Sequence, residues 1–185
     1  MNKILKIIMT FVIAFVAFYC INHEDAQAAK SLPYSTMKKY QPSSKKWSFV
    51  YQNTSNGTKT KATLKYRKAI DGWVSNNSKL PDLSYNVNRA GFLVGAPSSD
   101  WIYTGFKVPT KKGKVLKVTD FDGNIVNNSK IISIQKTVKL KGGTYKNCVV
   151  VKERATDVTY YFAKNIGLIL LKSDIGRMEL VKVNK

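Results

Sequence analysis

The sequence predicts a mainly β, single-domain protein: a curved antiparallel sheet or half-open barrel, built from hairpins and a C-terminal meander, with little helix. Three observations support this. Apolar and polar residues alternate with period two over 47–70, and 131–183 is a series of short apolar, β-branched runs. Turn dipeptides (Asn56-Gly57, Asp122-Gly123, Gly142-Gly143) mark hairpins, and turns recur at a spacing of about 8–12 residues in the C-terminal part. No segment offers a long amphipathic helix. The 44% apolar and 11% aromatic content of the 185 residues is enough for a packed core and too high for a disordered chain.

The N-terminus is organised differently. Lys3 and Lys6 precede an apolar stretch, Ile7 to Ile21, interrupted by Thr10, and Ala26-Gln27-Ala28 forms a small-residue cleavage box. This is the pattern of a secretory signal peptide over 1–28, cut between Ala28 and Ala29. The apolar run of about 15 residues is short of the roughly 20 needed to span a bilayer. Cys20 follows the bulky Tyr19, whereas lipid attachment at a cysteine wants a small residue there, so Cys20 reads as part of the apolar run.

Residues 29–46 (AKSLPYSTMKKYQPSSKK) are rich in Lys, Ser and Pro and read as a basic flexible leader. The β domain is expected over 47–185. Trp47, Phe49 and Tyr51 alternate with Ser48, Val50 and Gln52; Asn56-Gly57 signals a tight turn; Ala62, Leu64 and Tyr66 alternate with Thr63, Lys65 and Arg67. This predicts a hairpin over 47–70 with a basic outer face. Residues 71–100 are weakly patterned. Turn signals at Asp71-Gly72 and Ser75–Ser78 surround room for a short helical turn in 78–92, with a short strand at Phe92–Val94. Short strands resume over 101–126. The C-terminal part predicts strands at Ile131–Leu140, Tyr145–Glu153, Val158–Ala163, Leu168–Leu171 and Met178–Val183. Gly143 suits a turn needing positive φ, and Gly167 suits a bulge or a close backbone approach.

Two runs carry a family resemblance. Gly143-Thr144-Tyr145-Lys146-Asn147-Cys148-Val149-Val150-Val151 is followed by Tyr160-Tyr161-Phe162-Ala163-Lys164-Asn165-Ile166-Gly167-Leu168. This resembles small exported β-sheet proteins and lipoproteins of Gram-positive bacteria, with a G-T-[FY]-x-N-x-V-x-V strand and then Y-Y-A-x-G-[IV]-G-L. The resemblance spans about 40 residues and implies a curved sheet similar to lipoprotein-carrier folds. It brings no catalytic residues with it. Asn165 stands where that pattern has Gly, and the missing lipid-attachment box implies release or wall association.

Composition narrows the chemistry. Cleavage before Ala29 removes His23, Cys20, two Lys and two acids, leaving 29 basic and 9 acidic residues and the same net charge of +20. Without His, and with Cys148 alone, neither a Ser-His-Asp or Cys-His site nor a His-ligated metal nor an internal disulfide can be built. Cys148, in the apolar run to Val151, reads as a small buried hydrophobe. Asp120-Phe121-Asp122-Gly123-Asn124 matches the opening of a calcium loop, but the closing Glu is replaced by Ile131, so it reads as a hairpin turn. No enzyme activity, metal or cofactor is predicted.

The charge is the strongest functional signal, since a small soluble domain typically carries a net charge of about 2–8 in magnitude. The candidate anion-binding residues are Lys59, Lys61, Lys65, Arg67 and Lys68 on the first hairpin, and Lys111, Lys112, Lys114 and Lys117 further on. These predict a secreted, non-catalytic protein, free or wall-associated, whose partner is an anionic envelope polymer or membrane surface. Lys greatly outnumbers Arg, which disfavours bidentate reading of bases and hence sequence-specific nucleic-acid binding. The alternatives are a carrier, inhibitor or immunity-type protein that binds a protein or amphiphile on the concave sheet, and a membrane-active antimicrobial protein.

Overall fold

The computed structural model describes residues 31–87, 91–98, 102–107, 109–119 and 125–185. The predicted signal peptide, its Ala28/Ala29 cleavage point and the Asp120–Asn124 turn lie outside the described residues. The strands are β1 (Ser48–Ser55), β2 (Thr58–Arg67), β3 (Gly72–Ser75), β4 (Ser84–Val87), β5 (Gly91–Gly95), β6 (Ile102–Lys107), β7 (Val115–Thr119), β8 (Ile125–Leu140), β9 (Gly143–Glu153), β10 (Thr159–Ala163), β11 (Gly167–Lys172) and β12 (Gly176–Asn184). One short helix, α1 (Tyr34–Met37), precedes them.

All pairings among these strands are antiparallel. Nine strands form one sheet in the order β3-β2-β1-β12-β11-β10-β9-β8-β7, and β4-β5-β6 form a second. The chain walks outward from β1 to the β3 edge and leaves to build the small sheet. It re-enters at the opposite edge, β7, and walks back strand by strand until β12 meets β1. The predicted first hairpin and C-terminal meander are therefore present, with strand limits close to those expected.

Turn chemistry sets the registers. Asn56 and Gly57 have φ of +47° and +77°, the two left-handed residues of a tight two-residue hairpin loop. Gly143 has φ +132°. Asn165 has φ +64°, a conformation Asn tolerates where the related motif uses Gly. The β8–β9 hairpin runs beyond the end of β10 and bends back, so that Gly142 N–H donates to the Leu180 carbonyl of β12 at 3.3 Å. The sheet is thus strongly curled but does not close.

Curling gives the large sheet an inner face. Met178, Leu171, Tyr160, Val151 and Ile131 are directly paired across five strands of it, all but Leu171 buried. The small sheet packs on this face. Phe92 stacks on Phe106 with centroids 4.5 Å apart, and both meet Phe162 of β10 edge-on at 5.4 and 5.7 Å. The rings continue through Tyr85, Trp73 and Tyr66 in contacts of 5.2–6.0 Å. Within the weakly patterned segment 71–100 the described residues form β3, β4 and β5, and in the stretch 78–92, where a helical turn is allowed for, Ser84–Val87 is β4.

One backbone site ties the sheets together. A bulge between Tyr161/Phe162 and Leu170/Leu168 distorts the β10–β11 ladder. Beside it, Leu168 N–H donates to the Tyr85 hydroxyl at 3.1 Å, and the Tyr51 hydroxyl donates to the Leu168 carbonyl at 2.5 Å. Gly167 has φ +86°, and a Cβ there would lie 2.5 Å from Tyr85 Oη.

The flexible leader is the main correction. Over 31–46 it is a packed element. Leu32 and Thr110 exchange backbone hydrogen bonds of 2.8 and 3.0 Å, and Met37 and Tyr40 are fully buried. Tyr40 donates its hydroxyl to the Asn147 carbonyl at 2.7 Å. Tyr34, Met37 and Tyr40 recur every third residue, the period of a tight helical turn, within a Lys/Ser/Pro composition that hides it.

Two stability tests follow. Gly167→Ala combines a strained φ with overpacking against the half-buried Tyr85 ring and is expected to cost about 2–4 kcal/mol in urea unfolding. Met37→Ala is expected to cost about 2–5 kcal/mol, as core truncations do, whereas a substitution in a flexible leader would leave the midpoint unchanged.

Candidate functional site: a cationic outer face

Pairing across the sheet decides which cations share a face. On β2, Lys59, Lys61, Lys65 and Arg67 are exposed and alternate with buried Ala62 and Leu64. This is the basic outer face expected of the first hairpin. Lys68 opens the following 3-10 turn and is exposed. Lys111 and Lys112 sit exposed in the loop before β7, and Lys117 is exposed on β7. Lys114 is half-buried, and its carbonyl accepts the Ile131 N–H at 2.9 Å. Six strands separate β2 from β7, so the two groups are not brought together.

Other cations fill the space between them. Lys59 is directly opposite Thr54, Thr54 opposite Arg177, Arg177 opposite Lys172 and Lys172 opposite Thr159. Thr159 is opposite Lys152, and Lys152 opposite Lys130. Directly paired residues point to the same side of a sheet. The adjacent row, Met178–Leu171–Tyr160–Val151–Ile131, lines the core, so this row faces outward. It crosses seven strands and contains no acid. Sequence reasoning missed Lys130, Lys152, Lys172 and Arg177. Each adjoins a core residue (Ile131, Val151, Leu171, Met178), but their alignment depends on bulges that the sequence does not display.

Among the described residues there are three ion pairs. Lys45 bonds Asp71 at 2.7 Å, Lys152 bonds Asp157 at 2.7 Å, and Arg177 bonds Glu179. The Lys45 ammonium and Tyr66 hydroxyl hold the Asp71 carboxyl below the usual carboxylate range. Arg177 directly opposes Lys172, and Lys152 directly opposes Lys130. Such like-charge pairs place Cβ atoms about 4.5–5.5 Å apart and are destabilising.

The buried acids do not form a pair. Glu153, raised by burial, accepts from the Thr156 hydroxyl at 3.0 Å on the inner side of β9. Glu179 pairs with Arg177 on the outer side of β12, three strand positions away. Among the described residues no cluster of three or more His, Cys, Asp or Glu is placed to hold a metal ion.

The concave-sheet carrier reading meets a filled face, because the small sheet occupies it. An open, mostly polar groove of about 640 Å³ lies beside it, lined by residues including Tyr34, Lys38, Tyr85 and Asn86. This is a poor seat for an amphiphile, since small-molecule pockets are mostly apolar.

Cys148 is fully buried, as expected, and donates to the Tyr145 carbonyl at 3.4 Å. The motif around it is structural. Tyr145 donates to the Gly142 carbonyl at 3.0 Å, and Asn147, at φ +53°, presents its carbonyl to Tyr40.

No protein-family model and no curated protein matches the chain. Two solved structures are similar. One is an inferred lipoprotein from Parabacteroides distasonis, with a TM-score of 0.45 and 12% identity, covering 78% of this chain and 98% of that one. The other is an inferred exported protein with a YmcC-like fold from Bacteroides fragilis, with a TM-score of 0.47, 11% identity and the same coverages. Neither comes from the Gram-positive bacteria that the motif suggested, and at these values neither likeness bears on function.

Burial pushes the Cys148 thiol up to about 12. The unfolded thiol ionises near 8.5, so the stability its burial contributes is complete below that pH and is lost as pH rises toward 12. Between about pH 9 and 10 the unfolding free energy should fall by up to about 1.4 kcal/mol per pH unit, and Cys148→Ala should remove that fall. A thiol reagent such as Ellman's should react with the mature chain only once urea unfolds it.

Proposed function

We propose that this is an exported, non-catalytic basic protein retained at the cell envelope by binding an anionic polymer through the outer face of its large sheet. The observation that carries this reading is the outward row across seven strands, with exposed or half-exposed cations on five of them, which includes two directly opposed like-charge pairs. A surface selected only for solubility has no need of that arrangement. Each Lys near an anionic surface contributes about 1 kcal/mol, so several acting together give firm attachment that weakens with salt. Export rests on the signal pattern of residues 1–28.

Binding of the mature chain to washed cell walls tests this. Retention should be strong at low ionic strength, with the logarithm of affinity falling linearly against that of salt concentration. Retention unchanged at molar salt would overturn the electrostatic reading. Leakage from anionic vesicles would favour the membrane-active alternative.

A further inference from the structure

The outward row has a direction as well as a charge. We infer that Lys59–Thr54–Arg177–Lys172–Thr159–Lys152–Lys130 is a track for a linear, base-free phosphodiester polymer that lies across the strands. This rests on the envelope-retention reading and adds an orientation, a footprint and a ligand class to it.

Geometry comes first. Neighbouring strands are about 4.8 Å apart, so the seven positions span about 29 Å. Every position offers a donor. Five are cationic, and the two others are Thr hydroxyls. Thr54 Oγ1 accepts from Gln52 Nε2 at 3.5 Å, which leaves its own proton free to donate outward. A chain crossing the strands therefore meets a donor at each step and no carboxylate within the row. The two flanking acids are accounted for: Asp157 holds Lys152 and Glu179 holds Arg177. Lys59, Lys130 and Lys172 have no carboxylate partner among the described residues.

The chemistry of the row selects the polymer. Four of its five cations are Lys, compact point charges that suit a phosphate in any orientation, rather than the planar fork that reads a base edge. Binding of single-stranded nucleic acid draws on aromatic platforms for its bases. This row has none. On the same strands Phe49, Tyr51, Tyr160 and Phe162 are buried, and Tyr66 and Tyr145 are half-buried against the core. Tyr161 is half-buried on the neighbouring row between Leu170 and Val150. A curled face also follows a flexible chain better than it lies against a flat membrane.

The test uses poly(glycerol phosphate) of about 4 and about 12 phosphates, single-stranded oligothymidylate of matched charge, and vesicles containing phosphatidylglycerol. Two mature-chain variants lose the same charge: Lys130→Gln/Lys172→Gln within the row, and Lys139→Gln/Lys164→Gln outside it. The row variant should bind the longer polymer about 10–30-fold more weakly, with the salt slope smaller by about two. The off-row variant should change less than threefold. The shorter polymer should bind the parent more weakly per phosphate, because it covers part of the track. Both pairs are exposed or half-exposed, and the row pair relieves two like-charge contacts, so its urea midpoint should not fall. Equal weakening by the two variants would overturn the track while leaving charge-driven retention intact. Absence of binding of the parent to any of the three probes would overturn both readings. Tighter binding to oligothymidylate or to vesicles than to the polymer would overturn the base-free assignment.

Discussion

The fold depends on how one residue's backbone is held. Leu168 lies beside the bulge that distorts the β10–β11 ladder, its N–H donating to the hydroxyl of half-buried Tyr85 and its C=O accepting from the hydroxyl of buried Tyr51. Tyr51 belongs to the large sheet and Tyr85 to the small one, so the two peptide groups flanking Leu168 join the two sheets. A buried backbone group without a partner costs free energy comparable to a lost hydrogen bond, so both contacts are required once the sheet bends here. Gly167 completes the arrangement by leaving space for Tyr85 Oη and accepting a positive φ. Burial raises the titration of both tyrosines, so each keeps its proton.

This joint has a consequence for function. With Tyr85 anchored, Phe92 and Phe106 are fixed against Phe162, and the inner face of the curled sheet is closed by the chain itself. A lipid-carrying sheet would leave that face open. On its outer side the meander brings cations from five strands into one line. The core supplies much of the alignment, because Arg177, Lys172, Lys152 and Lys130 each adjoin a residue of the core (Met178, Leu171, Val151 and Ile131).

Electrostatics then works against stability and in favour of binding. Few acids oppose the excess of lysines, and the three ion pairs among the described residues lie on or near the surface, where such pairs contribute little. In the opposed pairs Arg177/Lys172 and Lys152/Lys130, Glu179 and Asp157 each neutralise one member, and Lys172 and Lys130 keep no carboxylate partner among the described residues.

Residue type and period were enough to determine the antiparallel β class, the Asn56-Gly57 hairpin and the C-terminal strands. They were enough because period-two burial and left-handed turn residues are local properties of the chain. The buried state of Cys148 and the basic face of β2 were legible for the same reason. Three things were decided only in the tertiary structure. The leader is packed because Met37 and Tyr40 find space over the sheet. β4, β5 and β6 form because Tyr85, Phe92 and Phe106 meet rings from elsewhere in the chain. The cationic row exists because register shifts at Tyr161/Phe162 in β10–β11 and between Ile131 and Val138 in β8–β9, each lying between a hairpin turn and the row, set Lys172 opposite Thr159 and Lys152 opposite Lys130. A further slip of one residue at either place would send part of that row to the opposite face, and nothing in the local sequence specifies where such a slip is absorbed.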